Sequence, residues 1–243
     1  MPTLLAVLLA FQSAAAQAPA PKAPTLTAEE IVERSIEATG GRDARQKMTS
    51  TIAKGTLEIP AQGGQAPMEF YAKAPNKRFF MTSVDGFGDI KQGFDGEVAW
   101  SERPDQGLRV LEGVELAQAK REASFNAELK WREIYKKVEL KGKEKVNNRE
   151  AYVVELTPDS GRPLTRYYDV ESFLLLRQDS VQETPQGPVS VQALMSDYRD
   201  VGGIKVPFRV EQRAAEQTVI IIVTEVQNNV EIDDARFAKP AAK

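Results

Sequence analysis

The chain has 243 residues, of which 42% are hydrophobic and 28% charged, and its formal net charge is −3. These values are ordinary for a globular protein and favour neither nucleic acid nor an anionic membrane surface as the main partner. The sequence contains no cysteine and no histidine. This excludes thiolate nucleophiles, disulfides, the usual zinc sites, serine–histidine–acid triads and histidine bases. An enzyme built from this chain would depend on carboxylates, lysine, tyrosine or a metal bound by oxygen.

The first 16 residues have the pattern of a secretory signal peptide. A short apolar run over residues 4–11 precedes Ala14-Ala15-Ala16, which suits cleavage after the third alanine, with a cut after Ala18 as the alternative. Residues 17–26 are rich in alanine and proline and predict a tether, and residues 27–243 predict a single domain. We therefore expect an exported protein that is soluble in the periplasm once the signal peptide is removed.

A helix is predicted directly after the tether. Thr27 and Glu30 stand three residues apart in a capping box, with Leu26 and Ile31 at the flanking staple positions. One narrow stripe continues from there at helical spacing and ends at Gly40-Gly41. The stripe consists of Ile31, Val32, Ser35, Ile36 and Ala38.

From about Thr49 the apolar period changes to two, which indicates strands. The clearest hairpin signal is Asp95-Gly96, a pair that suits a tight turn in which both central residues have positive φ. After five or six strands, residues 114–124 return to helical spacing. That spacing extends through residues 131–138, which fit either a longer helix or the start of a strand. About six more strands follow.

The pattern predicts a mainly β (α+β) fold, a curved antiparallel half-barrel of about 11–12 strands with two helical segments covering its concave face. Four stretches strengthen this prediction through a family likeness. They are GFDGEVAW (93–100), KGKEKVNNREAY (141–152), SDYRDVGGIKVPF (196–208) and residues 228–240. These stretches resemble the LolA-like superfamily, which comprises periplasmic lipoprotein carriers and outer-membrane lipoprotein-sorting proteins.

The resemblance implies a half-open barrel with helices as a lid over an apolar cavity, which in the carriers takes the acyl chains of a lipoprotein. The same fold occurs in envelope-stress sensors that detect mislocalised lipid. In the carriers an arginine in the barrel holds the lid, and the motifs match that arginine neither to Arg78 nor to another position.

Ten apolar and aromatic residues on the predicted strands are candidates for lining the cavity. They are Met68, Phe70, Phe79, Met81, Val98, Trp100, Tyr152, Tyr167, Tyr198 and Phe208. Five helix residues are candidates for the lid, namely Ile31, Val32, Ile36, Leu116 and Ala119. Methionine and aromatic side chains suit a cavity that repacks around varied ligands, although the same residue types equally form a packed core.

The remaining candidate chemistry is a set of carboxylates near the hairpin. Asp85, Asp89, Asp95 and Glu97 are close in sequence, but their spacing matches no calcium loop and the turn already explains Asp95. The sequence therefore predicts a non-enzymatic binder of lipid or of lipoprotein acyl chains, without metal or cofactor, that acts in lipoprotein sorting with membrane-protein partners. The alternatives are an envelope sensor that regulates a membrane partner and, less favoured, a carboxylate-dependent glycosidase.

Overall fold

The computed structural model describes residues 26–159, 161–184, 187–215 and 217–241, so the predicted signal peptide and nearly all of the predicted tether lie outside the described residues. The described residues form one 13-stranded sheet, unclosed and curled, in which every neighbouring pair is antiparallel. The antiparallel sheet expected from the sequence is confirmed, with six strands before the second helical segment and seven after it rather than about six. The strands are β1 (Ser50–Ile59), β2 (Gly64–Lys73), β3 (Lys77–Val84), β4 (Gly88–Phe94), β5 (Ala99–Arg103), β6 (Gly107–Val110), β7 (Tyr135–Val146), β8 (Arg149–Pro158), β9 (Leu164–Asp169), β10 (Leu175–Thr184), β11 (Gly187–Val201), β12 (Ile204–Ala214) and β13 (Gln217–Asn228).

The strand order is β6-β5-β4-β3-β2-β1-β13-β12-β11-β10-β9-β8-β7. Each half of the chain is a meander, and the two halves meet where β1 pairs with β13. At this seam Gly55 faces the backbone of β13, and a Cβ at this glycine would lie 2.0 Å from the carbonyl oxygen of Ile222. The seam therefore depends on a close approach of two backbones that a side chain would block.

Helix α1 (Ala28–Ala38) begins as predicted. The Thr27 hydroxyl accepts the N–H of Glu30 at 3.1 Å, and the Glu30 carboxylate accepts the N–H of Thr27 at 2.7 Å. The helix buries Ile31, Val32 and Ile36 against residues of β8 and β9. A short helix α2 (Gly41–Gln46), which the sequence pattern did not predict, follows the two glycines.

The second helical segment joins β6 to β7. Helix α3 (Gly113–Ala123) agrees with the predicted segment within one residue at each end. A 3-10 turn and the short helix α4 (Trp131–Ile134) follow, and β7 begins at Tyr135. Of residues 131–138, the first half is therefore helical and the second half belongs to a strand, so each of the two alternatives is correct for one half of the segment.

Strand register places α1 and α3 on the same face of the sheet. A row of paired residues on adjacent strands runs from the core beneath α1 to the seam and so marks the face that α1 covers. Helix α3 packs on side chains of β4, β5 and β10 that belong to the same face. The row consists of Val154, Arg166, Gln178, Ala193, Gln212 and Val219. We call this side of the sheet the helix face and the other side the opposite face.

The opposite face of β2–β5 is covered by the chain after β13. Phe237 is completely buried there together with Tyr71, Phe79 and Trp100. The Trp100 indole donates a hydrogen bond of 3.0 Å to the carbonyl oxygen of Phe237. The C-terminal segment therefore provides this face with its core.

The hairpin at Asp95-Gly96 is present, but the predicted turn type is wrong. Four residues separate β4 from β5, and of this pair Gly96 alone has positive φ, at 110°. The Asp95 carboxylate accepts the N–H groups of Glu97 at 2.9 Å and Val98 at 2.8 Å. The aspartate therefore closes the turn with its side chain instead of adopting the left-handed conformation.

Candidate functional site

A cavity of about 780 Å³ lies between α3 and the helix face of the sheet. Its apolar lining comes from strands on both sides of the seam and from α3 and the residues next to it. The apolar lining residues are Ala53, Leu57, Met68, Phe70, Phe80, Phe94, Leu111, Ala119, Val219, Ile221 and Val223. Period-two strands place these side chains together because alternate residues of adjacent strands share a face.

Polar groups attach α3 to the sheet at the edge of this cavity. Arg78 of β3 forms an ion pair with Glu122 at 2.5 Å, and Arg109 of β6 forms one with Glu115 at 2.7 Å. The Arg109 hydrogen bonds lower the pKa of Glu115 below its usual value despite partial burial, which keeps this pair ionised at neutral pH. A third contact reaches β10, where the Gln118 side chain accepts the N–H of Glu183 at 3.0 Å.

The five predicted lid residues fall into two groups. Leu116 and Ala119 of α3 pack with Phe94 and Ala99, and Ala119 also lines the cavity. The other three belong to α1 and pack on β8 and β9, away from the cavity. The helix over the cavity is therefore α3.

Of the ten predicted lining residues, Met68 and Phe70 line the cavity. Phe79, Met81 and Trp100 do not, because they lie on the opposite face beside the C-terminal segment. The length of the turn before β3 explains why the prediction for these residues is wrong. The three-residue turn between β2 and β3 pairs Phe70 with Phe80 and leaves Phe79 facing the other side of the sheet.

Phe79, Met81 and Trp100 border a separate pocket of about 640 Å³ on the opposite face, between β3–β5 and the C-terminal segment. Trp100 packs directly over Gly93, where a Cβ would lie 2.4 Å from the indole ring. The glycine therefore lets the indole lie flat on the sheet beneath the C-terminal segment.

The other five predicted residues are dispersed. Tyr152 stacks on Phe173 at 6.0 Å under α1, and Tyr167 lies on the opposite face, where its hydroxyl donates to Asp179 at 3.1 Å. The remaining three do not line the cavity either. Val98 lies in the turn between β4 and β5, Phe208 is buried beneath the Arg199 guanidinium, and the Tyr198 hydroxyl donates to the carbonyl oxygen of Leu175.

The sequence pattern does not identify several of the residues that line the cavity, and the reason lies in the pattern itself. Phe80 stands between Phe79 and Met81, so the pattern shows two alternating sets without indicating which one faces the cavity. Ile221 and its neighbours form a continuous apolar run, which indicated a strand covered on both sides. That prediction agrees with the structure, where Ile220 is buried and Ile221 lines the cavity.

Two of the four carboxylates near the hairpin, Asp89 and Asp95, have structural partners. The Asp89 carboxylate accepts the Ser83 hydroxyl at 2.7 Å and forms an ion pair with Lys91, and these contacts lower its pKa below the usual value. In the part of the chain that the structure describes, no group of three or more histidine, cysteine, aspartate or glutamate residues could hold a metal ion. No helix of the described ranges is long and apolar enough to cross a membrane.

Solved structures with a similar architecture identify the fold. A LolA superfamily protein from Nitrosomonas europaea superposes with a TM-score of 0.58 at 15% identity, covering 88% of this chain and 99% of that protein. The fold is LolA-like. A DUF1329 family protein from Desulfovibrio piger and a putative outer membrane lipoprotein-sorting protein domain from Vibrio parahaemolyticus share the LolA-like fold, each with a TM-score of 0.57 at 12% identity, covering 87% of this chain and 97% of the other.

No protein-family model matches the sequence, and no curated protein matches it. The resemblance drawn from the four sequence stretches is therefore confirmed as a likeness of fold.

Proposed function

We propose that this protein is an exported, non-enzymatic binding protein that holds acyl chains of a lipid or lipoprotein in the cavity beneath α3. In this proposal the helix face is the concave wall of the curled sheet, and α3 is the lid. The protein acts in the periplasm after removal of its signal peptide and takes part in lipoprotein sorting together with a membrane partner.

The observation that carries the proposal is the lining of the cavity. Aliphatic and aromatic side chains of β1, β2, β3 and β13 face a space of about 780 Å³, which lies within the range of ~300–1,000 Å³ typical of ligand pockets. Each methylene group that such a lining removes from water contributes about 0.8 kcal/mol. A hydrocarbon chain therefore gains affinity here without any specific polar contact.

The attachment of α3 supports its role as a lid. The side chains of Arg78 and Glu122 keep 35% and 41% of their surface exposed, and ion pairs at such positions contribute about 0–1 kcal/mol. The one buried residue of α3 is Ala123 at its C-terminal end. A helix held this way can leave the sheet at low cost, which a ligand enclosed beneath it requires.

Two adjacent residues of β13 provide a matched test. Ile221 lines the cavity, whereas Ile222 points to the opposite face of the same strand, and both are half-buried. We expect Ile221→Gln to weaken binding of a fluorescent fatty acid about fivefold or more, because it places a polar group where the chain lies. Ile222→Gln should bind the probe within twofold of the unsubstituted protein, and equal affinities of the two variants would contradict the proposed cavity.

Native mass spectrometry of protein purified from an envelope extract complements this comparison. We expect a bound species with the mass of an acylated lipid or lipopeptide. Recovery of ligand-free protein that also fails to bind added lipopeptide would refute the proposal. Recovery of one stoichiometric membrane protein without lipid transfer in vitro would instead favour the sensor function.

A further inference from the structure

A second group of polar residues lies on the helix face, away from the apolar lining. Its centre is Arg166 of β9, whose Nε donates to the Gln178 side chain at 2.9 Å and whose guanidinium lies 6.0 Å from the ring centre of Tyr135. The Arg166 side chain is half-buried and therefore keeps part of its surface accessible.

The charges in this group do not balance. Arg45 of α2 reaches the same region and forms an ion pair with Glu128, but its Nε is buried without a hydrogen-bond partner. Among the described residues no carboxylate lies within 4.0 Å of Arg166. Two guanidinium groups thus share one nearby carboxylate, so this region carries an excess positive charge that an anion can neutralise.

Tyr168 of β9 stands two residues from Arg166 and therefore lies on the same face of the sheet. Burial raises the pKa of Tyr198, while the charges of Arg45 and Arg166 act to lower it. Burial likewise raises the pKa of Tyr168, which is 2% exposed. The Tyr168 hydroxyl therefore remains protonated at neutral pH and can donate a hydrogen bond to an anion, whereas the Tyr198 hydroxyl already donates its proton to the carbonyl oxygen of Leu175.

The strand register connects this group to the cavity. Arg166 pairs with Gln178, Gln178 with Ala193 and Ala193 with Gln212, which lines the cavity. Neighbouring strands are about 4.8 Å apart, so three spacings separate Arg166 from the cavity wall by roughly 14 Å. Gln178 and Ala193 stand between Arg166 and Gln212 in this row.

We infer that Arg166 and Arg45, with the hydroxyl of Tyr168, bind the anionic group of an acyl ligand whose chain occupies the cavity. This inference rests on the proposed function and names the ligand class as an anionic amphiphile, with a phosphate or carboxylate at the polar end. Guanidinium groups suit both anions because their forked donors match two oxygens at once.

The chain offers a matched control for Arg166. Arg177 lies over the ring of Tyr167 at 4.4 Å on the opposite face, where it forms an ion pair with Asp179. Arg166→Met removes the unpaired charge while keeping an extended side chain, and Arg166→Lys keeps the charge. Arg177→Met makes the same change at a paired arginine away from the ligand.

The test compares lysophosphatidic acid with monoacylglycerol of equal chain length by calorimetry, with inorganic phosphate as a third probe. The unsubstituted protein should bind the anionic lipid about tenfold or more tightly than the neutral one. Arg166→Met should abolish this preference with little effect on monoacylglycerol, Arg166→Lys should retain part of it, and Arg177→Met should leave it unchanged.

Each outcome decides between the two proposals. If the unsubstituted protein binds both lipids equally, or if Arg166→Met keeps the preference, the inference is wrong and acyl binding stands. If neither lipid binds but phosphate does so through Arg166, the anion site stands and the acyl proposal fails. If none of the three probes binds, both are refuted.

Discussion

Asp169 shows how a single buried carboxylate fixes the turn between β9 and β10. Its side chain is 3% exposed, and one oxygen accepts the N–H and the hydroxyl of Ser172, each at 2.8 Å. The other oxygen forms an ion pair with Arg149 at 2.8 Å. Burial alone would raise the pKa of this carboxyl, but the contacts from Ser172 and Arg149 outweigh it and hold the pKa below its usual value.

The lowered pKa of Asp169 predicts a specific acid sensitivity. A group whose folded pKa lies below its unfolded value, about 3.9 for aspartate, stabilises the protein above that pH, and this contribution is lost as the pH falls through the folded pKa. Asp169→Asn should lower the free energy of unfolding at pH 7 by about 1–3 kcal/mol, and the difference from the unsubstituted protein should shrink below pH 4. Urea unfolding across this pH range measures both effects.

Asp105→Asn is the control, since Asp105 pairs with Arg103 at an exposed site. It should leave the free energy of unfolding at pH 7 unchanged within the error of the measurement. A pH-independent difference between Asp169→Asn and the unsubstituted protein would contradict the account of this turn.

At this scale the sequence predicts well what a few neighbouring residues decide. The Thr27–Glu30 capping box is correct because both partners lie within one helical turn. The side toward which Phe79 and Trp100 point could not be predicted, because it depends on turn length and on the C-terminal segment that covers them. The absence of a carboxylate beside Arg166 among the described residues likewise depends on tertiary contacts that the sequence pattern does not show.

Among the helices, α1 and α3 differ in how they attach to the sheet. Helix α1 buries Ile31, Val32 and Ile36 in the core, whereas α3 depends on one alanine, partly buried apolar residues and ion pairs. We therefore expect α3 to open more often than α1, because fewer apolar contacts resist its opening.

Removing both ion pairs of α3 should increase this opening. The double variant Glu115→Gln and Glu122→Gln should accelerate amide hydrogen exchange in α3 about fivefold, as expected for the loss of roughly 1 kcal/mol in total, while exchange in α1 stays unchanged. Hydrogen-exchange mass spectrometry resolves the two helices.

Lys120→Gln on the same helix is the control, because Lys120 is exposed and engages in no ion pair among the described residues. It should leave exchange in α3 at the original rate. If the double variant also exchanges at the original rate, the ion pairs do not hold the lid.

Helices and strands are largely predictable where the spacing of apolar residues repeats over enough of the chain. Helix α3 was placed within one residue, whereas α2, at six residues, is too short to show an apolar stripe. The change from helix to strand at Tyr135 was ambiguous because the apolar spacing of residues 131–138 fits both structures.

For the whole molecule, the decisive feature is the pairing of β1 with β13, which brings together residues about 170 positions apart. Local periodicity carries no information about this pairing, so the sequence predicted a curved sheet and an apolar hollow without placing the seam. The cavity lies at this seam, with Leu57 and Met68 from the first half of the chain and Ile221 from the second. A ligand there would contact both halves of the sheet at once.

The most direct test of this account locates a hydrocarbon chain relative to the two faces of the sheet. The measurement is methyl NMR with palmitate that carries a nitroxide spin label on its chain. The nitroxide broadens the NMR signals of nearby methyl groups, and methyl-labelled protein gives a separate signal for each side chain. We predict strong broadening at Met68, Ile221 and Val223, whose side chains line the cavity, and little at Val153 and Leu176, which are buried on the opposite face. Equal broadening on both faces, or none at saturating palmitate, would contradict the proposal that the space beneath α3 holds acyl chains.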